Sequence, residues 1–253
     1  MIDTHAHVDF KDFNKNRNEV IERAKDKLMA LINSGATLGG NKRALELSKK
    51  HKGFIYPTLG FHPVNSSKAE FKVVEEVMDL IEENIEKAVG IGEAGMDYYH
   101  VKDLEGRRKQ EKVFKLFANM AAEYELPLVI HARECEEKAL NIVKKFNSIP
   151  EVVFHCYSGN HETAQKILEE DYYLSFSTMV CFSKHHQDLA TKIPLNSILT
   201  ETDSPYLSPF KGKKNEPSFL YEAVNKIAKL QSLPFKKVDK ITENNAKSIF
   251  KIR

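Results

Sequence analysis

Tryptophan is absent from the 253 residues, cysteine occurs three times, and no apolar run lasts more than a few residues. A helix that crosses a bilayer needs roughly 20 consecutive apolar residues, so no transmembrane helix is expected. Cys135, Cys156 and Cys181 form no CxxC pair and are odd in number, which leaves no disulfide framework and fits a reducing compartment. No basic segment leads into an apolar stretch at the start, so no secretory signal is expected and a cytoplasmic setting is. No single sign of charge dominates: 38 Lys plus Arg stand against 36 Asp plus Glu, a formal charge of +2. Domains that track nucleic acid by charge alone are usually more basic, with a pI above about 9, and the pI of 8.2 neither demands nor excludes a phosphate-bearing partner. A glycine-rich dinucleotide loop is missing as well, because Gly39-Gly40 and Gly90-Ile91-Gly92 have no third glycine at the GxGxxG spacing. Repeats, low-complexity tracts and linkers are not seen, so residues 1–253 read as one domain.

What is present is an alternation. Short apolar, β-rich segments at Ile2–Thr4, Leu28–Asn33, Phe54–Leu59, Lys87–Ile91, Leu128–His131, Val152–His155, Tyr172–Phe176 and Ser197–Thr200 read as buried strands. Stretches of helical period separate them. The clearest spans Ala69–Asn84, where Phe71, Val74, Met78, Ile81 and Ile85 recur at three- and four-residue steps behind a capping box at Ser67–Glu70. A second spans Glu105–Glu125, with Val113, Phe114, Phe117, Met120 and Ala121 on one stripe. Strands alternating with helices over roughly 250 residues predict an α/β fold, a single (β/α)8 TIM barrel.

Histidines and carboxylates collect where the predicted strands end: His5 and His7, His62, Glu93, His131, His155 and Asp203. In a barrel the C-terminal strand ends meet on one face around the axis, so residues distant in sequence become neighbours. Any one of them has a plain structural explanation, but such explanations would have to apply independently at several strand ends on the same face. Jointly the set suits divalent metal. His5 and His7, two apart on an extended segment, chelate one ion; His131 and His155 from adjacent strands grip a second; Glu93 bridges both, and Asp203 holds the first ion and the proton of an activated water. Nitrogen and oxygen donors without thiolate admit Zn²⁺, Mn²⁺ or Mg²⁺. Cys156, beside His155, is expected to face the helices as core packing rather than act as a nucleophile, and His51, His161, His185 and His186 are expected in solvent. Arg133 suits either a phosphate or a salt bridge to Glu134 or Glu136. Arg107-Arg108-Lys109 and Lys211, Lys213 and Lys214 are placed in loops, as steering charges or simply as solvated surface. Tyr98, Tyr99, Tyr157 and Tyr206 either stack bases or pack the loops.

Ordered blocks along the whole chain resemble the TatD family of metal-dependent deoxyribonucleases, within the amidohydrolase-type TIM-barrel metallohydrolases: DTHAHVDF at the start, GFHP (60–63), GEAGMDYY (92–99), LPLVIHAR (126–133), HCYSGN (155–160), ETDSPYLSP (201–209) with Asn215-Glu216-Pro217 behind it, and ENNAKSIF (243–250). The resemblance implies His5, His7, Glu93, His131, His155 and Asp203 as ligands of two divalent ions, with His62 near the scissile phosphate. Glu93 stands where related enzymes often carry a carboxylated lysine. Ala94 replaces a more usual branched aliphatic, Asp171 replaces a glycine, and Ser175–Met179 is less glycine-rich than the family norm. The implied activity is phosphodiester hydrolysis of single-stranded or terminal DNA, 3'-to-5' exonuclease-like, with Glu93, Asp203 and His62 as the catalytic set and His62 and Arg133 binding substrate. Hydrolysis of an ester such as a D-aminoacyl-tRNA is the enzymatic rival. A silent, partner-binding barrel is disfavoured because all six ligand positions are intact, and no obligate protein partner is inferred.

Overall fold

A computed structural model of the protein describes residues 1–252. Its strands are β1 (Ile2–Ala6), β2 (Ala30–Ser34), β3 (Ile55–Leu59), β4 (Gly90–Asp97), β5 (Leu128–Arg133), β6 (Val152–Phe154), β7 (Tyr173–Phe176) and β8 (Ile198–Thr200). They form one parallel sheet in chain order. Around them lie helices α1 (Arg17–Lys25), α2 (Leu38–Lys50), α3 (Pro63–Lys68), α4 (Phe71–Glu82), α5 (Leu104–Glu123), α6 (Glu136–Val143), α7 (His161–Leu168), α8 (Lys184–Lys192), α9 (Leu220–Leu230) and α10 (Phe235–Phe250). This is the expected (β/α)8 barrel.

Alternation along the strands builds two cores. Leu128 and Ile130 of β5, and Val152 and Phe154 of β6, pack outward against the helices. Val129 and Val153, with Ile2, Ala30, Ile32 and Leu199, pack into a second cluster with Ile249 and Phe250 from the end of α10. The last helix thus seals the bottom of the barrel and leaves the strand C-terminal ends to form the open face.

The seam between β1 and β8 is held by side chains as well as backbone. The carboxylate of Asp3 accepts hydrogen bonds from the backbone N of Thr202 at 2.9 Å and from its hydroxyl at 2.6 Å. Thr4 Oγ1 donates to the carbonyl of Thr200 at 3.1 Å. Beyond the strands the backbones meet again, Asp203 N donating to His5 O at 2.9 Å and His7 N to Ser204 O at 2.8 Å. The first and last site residues are therefore tied to each other directly.

The structure corrects several local expectations. β4 extends to Asp97 rather than stopping at Ile91, because the GEAGMD run, poor in β-branched residues, is nonetheless paired to β5 and buried throughout. β6 ends at Phe154, one residue before His155. The Ser67–Glu70 capping box does not form: Ser67 lies in the last turn of α3, its hydroxyl donating to Val64 O, and α4 starts at Phe71 without a side-chain cap. Arg107, Arg108 and Lys109 are in the first turns of α5 rather than a loop, and Arg107 donates to the carbonyls of Val101 and Tyr98. His186 is buried, its Nδ1 on the Ser183 hydroxyl at 2.8 Å.

Candidate metal centre

Two strand irregularities aim the site. On β1, Ile2 faces the inner cluster and so does His5 face the axis, an odd offset that strict alternation forbids. A register shift between Asp3 and Ala6 supplies the change of phase. On β4, Ile91 and Ala94 both pack outward, three residues apart, and a second register shift between them turns Glu93 inward. Gly92 permits it: its φ is +146°, and a Cβ there would stand 2.6 Å from the carbonyl oxygen of Val129. On β5 and β6 plain alternation suffices, and His131 and His155 stay in phase with the inward-facing Val129 and Val153.

Glu93 stands at the centre, 2 % exposed. Its Oε2 lies 3.4 Å from His5 Nε2 and 3.5 Å from His7 Nε2, and those two nitrogens are 3.2 Å apart. Asp203 Oδ1 is 3.6 Å from His7 Nε2. The other oxygen of Glu93, Oε1, lies 2.7 Å from His131 Nδ1 and 2.9 Å from His155 Nε2, which are 3.1 Å from each other. One carboxylate thus presents one oxygen to each histidine pair. Donors about 2.0–2.2 Å from a common tetrahedral ion stand roughly 3.3–3.6 Å apart, close to the spacings around Oε2, while the 2.7–3.1 Å spacings around Oε1 are hydrogen-bond lengths that a cation would open slightly. Glu93 Oε2 is buried without a hydrogen-bond donor, an acceptor that a cation would satisfy. His7 Nδ1 donates to the carbonyl of Ser34 at 2.8 Å, which leaves Nε2 of the neutral ring with its lone pair toward Glu93 and Asp203. The residues present therefore fit divalent metal.

Charge follows this packing. Burial alone would raise Glu93, but the imidazoles of His155 and His131 beside it outweigh that and hold the carboxyl well below its ordinary range. Burial opposes the charged form of His7, yet Asp203 and Glu93 raise it to about 9, so a cation entering this lobe displaces a proton from the ring.

His62 lies on the same cavity wall, its Nε2 3.5 Å from Glu93 Oε1, but differs in kind. The backbone N of Val64 donates to its Nδ1 at 3.2 Å, and burial pushes the ring down to about 3. It is a neutral imidazole with its N–H on Nε2, a donor aimed into the cavity rather than a lone pair. That cavity has a volume of 560 Å³ and is walled by Phe10 and Tyr206 on one side and Arg133 and His100 on the other. Phe10 stacks on the His7 ring at 4.4 Å and meets Tyr206 edge-on at 6.3 Å. The exposed Arg133 guanidinium lies 3.9 Å from the centre of the Tyr99 ring; no ion pair to Glu134 or Glu136 forms among the described residues. Tyr157 packs, its hydroxyl donating to Asn160 O at 2.7 Å. Cys156 departs from expectation: with β6 ended, it takes a left-handed φ of +44° and turns its thiol to the Ser177 hydroxyl at 3.3 Å, instead of joining the outer core. Burial, with Asp203 and Glu201 nearby, pushes that thiol far up, away from the thiolate form that a nucleophile needs.

A model of the TatD related DNase family matches residues 2–251. The chain belongs to the TatD family. Like its relatives it is a metal-dependent hydrolase. An uncharacterized metal-dependent hydrolase of Methanocaldococcus jannaschii is 46% identical over 252 residues, covering 100% of this chain and 97% of that one. The human deoxyribonuclease TATDN3 is 28% identical over 259 residues, 99% of this chain and 94% of its own. The crystal structure of YJJV, a TatD homolog from Escherichia coli, superposes with a TM-score of 0.91 at 25% identity, covering 100% of this chain and 98% of that one.

Two buried carboxylates escaped the sequence reading of this TatD site. Asp97 Oδ2 accepts from His131 Nε2 at 3.1 Å and from His100 Nδ1 at 2.8 Å. Glu201 Oε1 faces His155 Nδ1 at 3.4 Å. A signal existed: Asp97 ends the strand that carries Glu93, and Glu201 stands two residues before Asp203. The Asp203 loop is pinned by the buried Asn215 amide, which donates to the carbonyls of Thr202 at 2.8 Å and Tyr206 at 2.6 Å and to Thr178 Oγ1 at 2.9 Å. Asn215→Ala strands these acceptors and should cost about 1–3 kcal/mol, read as a lower midpoint in urea unfolding with an unchanged slope.

Proposed function

We propose that the protein hydrolyses phosphodiester bonds of DNA at a strand end or in single-stranded form, 3'-to-5' exonuclease-like, using two divalent cations of the Zn²⁺, Mn²⁺ or Mg²⁺ class. The observation that carries the reading is Glu93, one oxygen turned to each histidine pair at the floor of a cavity that is aromatic on one wall and cationic on the other. His5, His7, Asp203 and Glu93 Oε2 would hold one cation; His131, His155 and Glu93 Oε1 would hold the other. Such ions supply Lewis-acid activation of water and neutralise charge on phosphoryl oxygens. The remaining work falls to the chain. Asp203, on the cavity wall, takes the proton of the attacking water. His62 donates its Nε2–H to a non-bridging phosphate oxygen, a donor that stays neutral at any working pH because of its burial. Arg133, flattened on Tyr99, offers its planar fork to the phosphate on the open side, and Phe10 and Tyr206 give the terminal base an apolar face to stack on. The name of the human relative supports DNA as the substrate.

The test is parallel assay of 5'- and 3'-labelled single-stranded DNA and of D-aminoacyl-tRNA, with and without EDTA. Release of nucleotides from the 3' end, abolished by EDTA and restored by added metal, is expected. DNA cleavage that survives full chelation refutes the reading, and deacylation without DNA cleavage moves the same residues onto an ester.

A further inference from the structure

The two halves of the centre are built alike toward Glu93 and differently behind it. His131 turns Nδ1 to Glu93 and Nε2 to the carboxylate of Asp97 at 3.1 Å. His155 turns Nε2 to Glu93 and Nδ1 to the carboxylate of Glu201 at 3.4 Å. The groups in hydrogen-bond contact behind the other pair are neutral: His7 Nδ1 meets the carbonyl of Ser34 at 2.8 Å, and His5 Nδ1 meets the Ser34 hydroxyl at 3.1 Å, while Glu201 comes within 4.8 Å of a His5 ring nitrogen without a hydrogen bond to it. A carboxylate only accepts, so with a cation on the Glu93 side it would keep the N–H on the nitrogen facing it and leave the other as a lone pair, and its charge would make that lone pair a better ligand. A carbonyl fixes the tautomer without adding charge. The Ser34 hydroxyl, which itself accepts from Thr58 Oγ1 at 3.0 Å, fixes His5 least, since it is able to donate or accept.

Glu201 is the more telling of the two. It is fully buried, His155 Nδ1 at 3.4 Å is its nearest donor and a long one, and its second oxygen has no donor at all. An isolated buried carboxylate is costly and persists where positive charge answers it. Glu93, Asp97, Glu201 and Asp203 together bring four carboxylates, the number that two dications neutralise.

We propose that Glu201 and Asp97 are positioning residues that hold His155 and His131 for a cation and make their half of the centre the tighter of two binding positions. The inference rests on the metal-centre reading above. It is tested by freeing the full-length protein of metal, titrating Zn²⁺ or Mn²⁺ against a chromophoric chelator, and recording thermal unfolding without metal, for the parent chain, Glu201→Gln and Asp97→Asn. The parent is expected to bind in two steps. Glu201→Gln should weaken the tighter step about 10- to 100-fold and leave the weaker one in place, and Asp97→Asn should act on the same step. Without metal, Glu201→Gln should still unfold in one cooperative transition, so that a weaker metal step is not mistaken for loss of the fold. Two binding steps in the parent with both variants unchanged, or a loss confined to the weaker step, would overturn the proposal. A parent chain that binds no metal would instead refute the metal-centre reading on which it stands.

Discussion

Glu93→Gln is expected to lower kcat/KM on single-stranded DNA by about a thousandfold or more, and to bring bound metal per chain down with it. Glutamine keeps the volume and one carbonyl oxygen but turns an NH2 toward one histidine pair, where a donor has no lone-pair role to fill. The shared anion is then lost to both halves at once, which is why this single change should exceed loss of any one histidine. Cation contributions of several kcal/mol correspond to such a factor, since each 1.36 kcal/mol is tenfold. The fold should survive. Glu93 is held among imidazoles rather than in the strand ladder or the apolar cores, so far-ultraviolet circular dichroism should not change. Metal analysis and single-turnover kinetics check both halves of the expectation. Full metal content with unchanged kcat/KM would mean that Glu93 is not the shared ligand.

Legibility varied along this chain for physical reasons. The strands of β5, β6 and β7 were readable because both their faces are apolar until the last residue or two, and the barrel followed from their spacing. β4 was misjudged where glycine and carboxylate replaced the apolar run, since pairing with β5 and burial, not local propensity, keep Gly92–Asp97 extended. The six proposed ligands stood out because histidine and carboxylate at successive strand ends are unusual, and the structure brings the other five around Glu93. Strict alternation, however, would have turned Glu93 outward, and a register shift is not written in any residue-level pattern; Gly92 is its only trace. Cys156 was misread for the converse reason, as alternation was extended two residues past the end of β6. Asp97 and Glu201 were overlooked because their one signal, a place at the strand ends beside Glu93 and Asp203, does not tell a carboxylate that touches the back of a histidine from one that caps a turn; burial does.

Asp203→Asn should separate holding the centre from using it. Asp203 occupies a left-handed backbone position, φ +54°, with its N donating to His5 O at 2.9 Å. Asparagine is, with aspartate, among the residues that accept this conformation most readily, so the seam between the first and last strands should be preserved and the melting temperature change little. What the amide cannot do is take a proton. Burial tends to raise the Asp203 carboxyl, but His7, His5 and His155 outweigh that and keep it below its ordinary range. In the parent chain it is therefore ready to accept a proton throughout the neutral range, and no acid limb from it should appear until below the usual carboxylate region near ~3.9. Loss of a positioned proton acceptor commonly costs about 10²- to 10⁴-fold. That loss is expected in kcat, with KM moved far less because His62, Arg133 and the Phe10–Tyr206 wall are untouched. Residual activity should rise with pH as hydroxide from solution takes the place of the missing acceptor. The pair His131 and His155 should keep its cation, so metal per chain should fall by no more than half. A variant with more than a third of the parent kcat would remove Asp203 from the chemistry and leave it only a structural place at the seam.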